Sequence, residues 1–264
     1  MMNKLVVIKG GGDIATGIAH RLYQSRIKVV ITELPQPTVV RRTVAFARAV
    51  VDGEAVVEGV TARLAAPAQV PEVLADGCIP VIVDAAAQCV QVFKPQAMVD
   101  ATMAKCNTGT KLTDAPVVIG VGPGFTAGTD VHAVIETMRG HDLGRVIYQG
   151  TAIANTGIPG EIGGYTLERL IRAPQAGVFT ACRTIGDIVA AGEIVGHVDT
   201  TPVNVAIAGV LRGLIQDGLT VAAGLKIGDV DPRCRREHCF TISDKARAVG
   251  GGVLEALLHL GVKI

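Results

Sequence analysis

Residues 10–15 read GGGDIA and carry the most specific chemical signal in this sequence. They fit the pattern G-x-G-x-x-G/A, with alanine in the last position, and they lie between an apolar strand and a helical segment. Glycines let the backbone turn tightly and approach a phosphate, while the following helix offers free N–H groups and the positive end of its dipole. The pattern predicts a nucleotide-type ligand held by five residues: Gly10, Gly11, Gly12, Asp13 and Ala15.

Glu33 adds an acid to this motif, because it ends the second predicted strand, 23 residues after Gly10. A carboxylate at this place accepts hydrogen bonds from the hydroxyls of a ribose. The glycine motif, its place between a strand and a helix, and the Glu33 carboxylate together favour a nucleotide site, with NAD(P) or another (di)nucleotide as the cofactor. The alternative is a tight turn between strand and helix, followed by an incidental glutamate.

Other predicted strands also end in residues that could contact a ligand. Asp84 and Asp100 each close an apolar run, and GVGPG follows at 120–124. In an open parallel sheet the ligand crevice lies beyond the carboxyl ends of the strands, so these residues join the candidate site. Gly122 and Gly124 are interpreted either as a second anion cradle or as glycines that simply terminate a strand.

Two groups of metal-ligand residue types do not have the spacing of a metal site. If 129–138 is a strand, His132 and Glu136 face the same side about 13 Å apart, too far for one ion. An exposed polar strand face is therefore favoured. Cys234, His238 and Cys239 lack finger or ribbon spacing, so a loop with a free thiol is favoured over a metal site, with a persulfide or selenide carrier as the alternative.

Composition limits the class of protein. The 264 residues are 49% apolar and 3% aromatic with a net charge of +1, which is typical of a folded chain and unlike a nucleic-acid-binding surface. No apolar run approaches about 18 residues, so no membrane span is expected. With no recognisable secretion signal and six scattered cysteines, the sequence predicts a soluble cytoplasmic protein with reduced thiols. Homo-oligomer formation is left open.

The elements that must position these residues alternate between strand and helix in the first half. Strands are predicted at 4–9, 28–33, 54–60, 79–84, 97–103 and 115–121, and helices at 13–26, 39–50 and 67–76. This alternation predicts a Rossmann-like, mostly parallel sheet over residues 1–128. A β connecting region is predicted at 129–170.

The second half contains an internal repeat. Ala-Gly-Val at 176–178 recurs at 208–210, and Val-Ala-Ala-Gly at 189–192 recurs at 221–224, with a constant offset of 32 residues. The repeat resembles the biotinyl and lipoyl carrier domains, which predicts a duplicated barrel-sandwich β module at 171–235. The hairpin tip at 199–203 has no lysine, so no attached swinging arm is expected. The last segment, 236–264, is predicted to contain a helix that Ser243 caps.

Several short motifs resemble the YqeB-type family, the selenium-dependent molybdenum hydroxylase system proteins. They are GVGPGF at 120–125, VIET at 134–137, RGH at 139–141, GIPG at 157–160, RGL at 212–214, KIGDVDPR at 226–233 and SDKARA at 243–248. The N-terminal part is also distantly similar to the Rossmann domain of XdhC/CoxI-type accessory proteins. The resemblance covers almost the whole chain. It implies an accessory role in maturing selenium-dependent molybdenum hydroxylases and supplies no catalytic residues.

Three hypotheses follow. The first is a nucleotide-binding maturation factor that handles the molybdenum cofactor or its sulfur or selenium, with molybdopterin dinucleotide as one ligand and a molybdenum hydroxylase as partner. The second is an NAD(P)-dependent oxidoreductase, for which no convincing proton donor is present. The third is a non-catalytic scaffold whose β module docks the hydroxylase. Whether the chain is an enzyme is left open.

Overall fold

A computed structural model describes residues 4–263 of the chain. Contacts divide it into two units. The first unit contains the residues up to 37, together with 45–155 and 242 onward, and the second contains 38–44 and 156–241. The division into four consecutive segments, 1–128, 129–170, 171–235 and 236–264, stays a prediction.

The first unit contains eleven strands among the described residues. They are β1 (Leu5–Lys9), β2 (Lys28–Glu33), β3 (Glu54–Val57), β4 (Val60–Leu64), β5 (Ile79–Val83), β6 (Ala97–Asp100), β7 (Val117–Val121), β8 (Thr126–Ala127), β9 (Ala133–Ile135), β10 (Val146–Ile147) and β11 (Gly150–Thr151). Strands β1 and β7 are buried along their whole length and consist mainly of β-branched residues, which favour extended backbone.

Nine of these strands form one mixed sheet in the order β10-β9-β7-β6-β1-β2-β5-β4-β3. The seven inner strands are parallel to one another, and the two edge strands, β3 and β10, pair antiparallel. Strands β8 and β11 form a separate two-stranded antiparallel ribbon. The parallel arrangement brings the carboxyl ends of seven strands to one edge of the sheet.

Among the described residues, two helices are longer than six residues. The helices are α1 (Asp13–Gln24), α2 (Ala49–Asp52), α3 (Val70–Ala75), α4 (Val90–Phe93) and α5 (Asp244–His259). Helix α5 packs along α1, where Gly17 lets Ala246 approach the backbone closely. Ser243 caps α5 by accepting a hydrogen bond from the Ala246 N–H at 3.2 Å, as the sequence predicts.

The second unit consists of two four-stranded antiparallel sheets. Their strands are β12 (Leu170–Arg172), β13 (Gly177–Ala181), β14 (Ile188–Val189), β15 (Ile194–Val198), β16 (Thr201–Asn204), β17 (Gly209–Leu214), β18 (Thr220–Val221) and β19 (Lys226–Asp231). The sheet orders are β12-β19-β17-β14 and β16-β15-β13-β18. The repeat is visible here, because β13, β14 and β15 match β17, β18 and β19. Each copy lends its middle strand to the sheet of the other. Phe179, Leu211 and neighbouring aliphatic side chains form the core.

The predicted fold class was a Rossmann-like sheet followed by a duplicated barrel-sandwich module and a C-terminal helix, and its assignment as Rossmann plus barrel-sandwich is wrong, because the structure has a large mixed sheet and smaller antiparallel sheets. The order of the nine strands places β5 between β2 and β4, and the β3–β4 hairpin makes one edge of the sheet antiparallel. Most connections between the strands contain helices of six residues or fewer. The repeat forms two distinct sheets, each extended by a strand from outside the matched segments. The last helix belongs to the first unit.

Two predicted elements differ locally. Residues 39–50 form two single-turn 3-10 helices and the start of α2, not one helix. Residues 54–60 form a hairpin with β4, because Glu58 and Gly59 both adopt positive φ and reverse the chain. Among the helices of residues 4–263, none combines the length and apolar character that crossing a membrane requires.

Candidate functional site

Ionisable side chains gather at the carboxyl ends of the parallel strands. Lys9 ends β1, Glu33 ends β2 and Asp100 ends β6, and Lys9 lies beside Asp100 in the strand register. The chain continues from β1 to β2 on one side of β1, whereas β6 lies on its other side. This reversal of strand order is where open α/β sheets bind ligands.

The glycines of the Gly10 loop, defined as residues 10–12, are in close contact with other backbone segments. Gly10 has φ +92°, and a Cβ there would lie 3.1 Å from the Cα of Thr102. A Cβ at Gly11 would lie 2.9 Å from the N of Ala47, whose N–H donates to the Gly11 carbonyl at 2.8 Å. Two of the three glycines are therefore explained by packing within the chain. Their predicted role in holding a ligand stays a prediction.

Helix α1 begins directly after this loop. Gly12 is its N-cap residue and supplies no side-chain hydrogen bond, and Asp13 occupies the first turn, where a carboxylate suits the helix dipole. Both residues are half-buried, while Ala15 is fully buried against the sheet. The start of α1 thus combines an uncapped end with partial exposure.

Glu33 contacts the Gly10 loop directly. Its Oε2 accepts a hydrogen bond from the Gly11 N–H at 2.7 Å, and its Oε1 accepts one from the Leu34 N–H at 2.7 Å. The residue is 8% exposed. Burial raises the pKa of Glu33, and the two backbone hydrogen bonds only partly oppose this. The structure therefore brings together the acid and the glycine loop that the sequence singled out.

A buried ion pair that the sequence pattern does not predict lies next to this loop. Lys9 is 4% exposed and Asp100 is 0% exposed, and Lys9 Nζ lies 3.5 Å from Asp100 Oδ2. Lys9 also donates to the hydroxyl of Thr108 at 3.0 Å and that of Thr110 at 3.4 Å. Asp100 was already a candidate because it closes an apolar run, and the lysine at the end of the otherwise apolar β1 is the further signal in the sequence that points to this pair.

Asp100 is held by hydroxyl groups as well as by Lys9. Its Oδ1 accepts from the Thr102 hydroxyl at 2.7 Å, and its Oδ2 accepts from the Thr110 hydroxyl at 2.6 Å. The loop that carries these threonines also contains Met103 and Lys105, both at positive φ. Two non-glycine residues in this conformation cost energy that the surrounding contacts must offset, and such residues concentrate at functional sites.

Asp84 lies at the end of β5 and stabilises a turn. Its Oδ2 accepts a hydrogen bond from the Cys89 N–H at 2.8 Å, just before α4. Burial, together with the nearby Asp84 carboxylate, raises the pKa of the Cys89 thiol to about 12. Asp84 therefore has a local structural role, and its predicted contact with a cofactor stays a prediction.

The predicted second glycine cradle packs against its neighbours. Gly122 and Gly124 have φ +82° and +110°. A Cβ at Gly122 would lie 2.9 Å from the Thr137 hydroxyl, and one at Gly124 would lie 2.6 Å from the Cα of Cys106. Both positions require glycine for conformation and for space. The anion-binding role of the loop stays a prediction.

His132 and Glu136, which were considered for metal binding, have other partners. His132 Nδ1 accepts a hydrogen bond from the Val118 N–H at 3.0 Å, and Glu136 is buried, accepting from the N–H groups of Thr137, Met138 and Ile153. Within the described range 4–263, no group of three or more His, Cys, Asp or Glu side chains could hold a metal ion.

Comparison with known proteins gives one close relative. The chain is 52% identical over 265 residues to the uncharacterized protein YqeB of Escherichia coli strain K12, an alignment that covers 99% of this chain. This identity supports the resemblance of the chain to the YqeB-type family. The chain spans only about half of that relative, because the alignment covers 49% of its length. No family model matches the sequence.

Similar solved structures include a succinylglutamate desuccinylase/aspartoacylase from Rhodobacter sphaeroides, with a TM-score of 0.21 and 25% identity over 24% of this chain and 22% of that one. An aspartoacylase family protein from Mesorhizobium loti has a TM-score of 0.28 and 9% identity over 87% of this chain and 85% of that one. Scores this low carry no argument about the fold or the chemistry of this chain.

Proposed function

We propose that this chain binds a nucleotide-type small molecule at the carboxyl ends of β1 and β2, as an accessory factor in the maturation of selenium-dependent molybdenum hydroxylases. The ligand is NAD(P) or another (di)nucleotide, with molybdopterin dinucleotide among the candidates. The observation that carries the proposal is the 2.7 Å hydrogen bond between the Gly11 N–H and the Glu33 carboxylate. It fixes an acid beside the glycine loop and the start of α1.

The carboxylate of Glu33 has acceptor capacity to spare. An ionised carboxylate offers about four acceptor positions, and the backbone N–H groups of Gly11 and Leu34 use two of them. The remaining positions suit the two adjacent hydroxyls of a ribose. A phosphate linked to that ribose would then lie near the first turn of α1, where the helix dipole favours negative charge.

The role in maturation is what the resemblance to the YqeB-type family implies. The motifs that resemble the YqeB-type family run along almost the whole chain, and the 52% identity to YqeB of Escherichia coli agrees with them. That relative is uncharacterized and twice as long, so the activity and partners of the whole protein are part of the proposal. Docking of a molybdenum hydroxylase is the partner interaction that the proposal requires.

Thermal unfolding with added ligand tests the nucleotide site. The full chain is titrated with NAD, NADP, ATP, CTP and molybdopterin dinucleotide, alongside Glu33→Gln and the control Glu136→Gln, another buried carboxylate at the same edge of the sheet. A ligand at 100 times its dissociation constant should stabilise the folded state by about 2.7 kcal/mol. The effect should disappear in Glu33→Gln and persist in Glu136→Gln. If no nucleotide stabilises the wild type, the proposed site is wrong.

The accessory role is tested in cells. A selenium-dependent molybdenum hydroxylase purified from cells lacking this protein should contain less selenium or molybdenum and have lower specific activity than the same enzyme from complemented cells. Equal metal content, selenium content and activity would refute the role in maturation. Turnover of a nicotinamide substrate by the purified chain would instead favour the oxidoreductase. Hydroxylase binding without any nucleotide effect would favour the docking scaffold.

A further inference from the structure

Arg212 is a buried arginine whose guanidinium lacks hydrogen-bond partners. Its side chain is 8% exposed, and its Nε is buried without a partner. Across the described residues its side chain makes one ion contact at 3.8 Å, from Nη1 to Asp231 Oδ2, which is too long for a hydrogen bond. A guanidinium carries five N–H donors, and leaving the buried Nε–H of Arg212 unpaired is costly.

The carboxylates near Arg212 are bound by other cations. Asp231 accepts from Arg233 Nε at 2.9 Å and from Arg233 Nη2 at 2.6 Å. Burial alone would raise the pKa of Asp231, but the Arg233 hydrogen bonds hold it below its usual range. Asp229 accepts from Arg169 Nη2 at 3.0 and 3.3 Å. Arg212 is therefore left without a close acceptor for its donors.

The backbone directs Arg212 away from the regular sheet. In the pairing of β17 with β19, Leu211 is opposite Val230 and Gly213 is opposite Asp229, so Arg212 is the extra residue of a β-bulge. Bulges re-aim a side chain and are common beside active sites. In the first copy of the repeat the matching position is Thr180, which pairs regularly with His197. The repeat architecture therefore requires neither the bulge nor the arginine.

The surroundings of Arg212 carry an excess of positive charge. Burial and the nearby Arg41 guanidinium lower the pKa of Arg212, and Arg233 acts in the same direction. Arg41 is fixed in place by the His238 carbonyl, to which it donates at 3.0 Å. Three guanidinium groups thus lie near two carboxylates, Asp229 and Asp231, and Asp229 is already paired with a fourth, that of Arg169. Such a cluster is stabilised by an anion that neutralises it and accepts hydrogen bonds.

We propose that Arg212, together with Arg41 and Arg233, forms a binding site for a phosphate or a similar tetrahedral oxyanion. Bidentate pairing with an oxyanion would satisfy the donors of Arg212 that the protein leaves unpaired. The anion is either free inorganic phosphate or the phosphate group of a larger molecule. This site lies wholly within the second unit and is independent of the Gly10 loop and Glu33.

Calorimetric titration of the full chain with inorganic phosphate, at ionic strength matched with chloride, tests the proposal. Arg212→Met should weaken phosphate binding at least tenfold. Arg212→Lys, which keeps the charge but not the paired donors, should weaken it by a smaller factor. The control Arg172→Met removes an exposed arginine from β12 of the same sheet and should leave the affinity unchanged. Circular dichroism of each variant checks that the fold is intact.

The same titration distinguishes the two sources of the anion. Tighter binding of a phosphomonoester, such as glycerol phosphate, than of inorganic phosphate would assign the site to a larger ligand, and the reverse order would assign it to the free ion. Either order supports the oxyanion site when Arg212→Met abolishes it. The proposal is overturned if phosphate has no effect beyond chloride, or if the Arg212→Met and Arg212→Lys variants bind phosphate as the wild type does.

Discussion

Replacing Gly17 with alanine should destabilise the protein, although alanine is the better helix former. Within a helix, alanine is favoured over glycine by about 1 kcal/mol. At Gly17, however, the new Cβ would lie 2.6 Å from the Cβ of Ala246 and 2.9 Å from its carbonyl oxygen. Carbon atoms prefer a separation of about 3.5–4.0 Å, so α1 and α5 would have to move apart by about 1 Å. Overpacking of this kind costs about 1–3 kcal/mol.

Gly251→Ala provides a matched control in α5. No atom lies within 4 Å of a Cβ at Gly251, so this variant gains the helix preference without a clash and should be about 1 kcal/mol more stable than the wild type. The helix preference cancels between the two variants. Their difference in unfolding free energy therefore measures the packing cost at Gly17, about 1–3 kcal/mol.

Urea unfolding followed by far-UV circular dichroism measures this difference. The expected order of stability is Gly251→Ala, then wild type, then Gly17→Ala. If Gly17→Ala stabilises the protein as much as Gly251→Ala does, the close packing of α1 on α5 is absent in solution, and the reasoning from Cβ distances is refuted.

Two further predictions concern the carboxyl edge of the sheet. Because burial raises the pKa of Glu33 above its ordinary 4.5, the folded state binds this proton more tightly than the unfolded state, and stability should fall as pH rises from about 4.5 through the raised pKa. Glu33→Gln should lack this slope in a pH series of urea unfolding curves, and parallel profiles would contradict the prediction. Asp100→Asn leaves Lys9 buried without its counter-charge and should destabilise the protein by about 3–5 kcal/mol. Adding Lys9→Met should recover part of this loss in thermal unfolding, and a stability unchanged by Asp100→Asn would show that the pair is not formed.

Segment 39–50 shows why a helical pattern can mislead. Its apolar spacing predicts one helix with arginines on the solvent side. In the structure, the Phe46 N–H donates to the Thr16 hydroxyl at 2.8 Å and the Ala47 N–H donates to the Gly11 carbonyl. These backbone groups bond to distant residues and not to the preceding turn. Partners distant in sequence cannot be recognised from local periodicity.

Local signals in the sequence were sufficient to predict the β1–α1–β2 segment, the glycine turn between β1 and α1, the Ser243 cap and the 32-residue repeat. Each of these features depends on residues close in the chain or on glycines at a constant offset, so it can be recognised without knowledge of the fold. Glu33 could be placed near the glycine loop because a parallel β1–β2 pair aligns their ends.

Tertiary structure alone decided the order of the nine strands, the two four-stranded sheets and the packing of α5 on α1. It also decided that Lys9 meets Asp100 and that a bulge leaves Arg212 without a close acceptor. These contacts join residues far apart in the chain, and many arrangements satisfy the same local preferences. The arrangement that forms is the one that buries the apolar surfaces and pairs the buried polar groups of the whole chain at the same time.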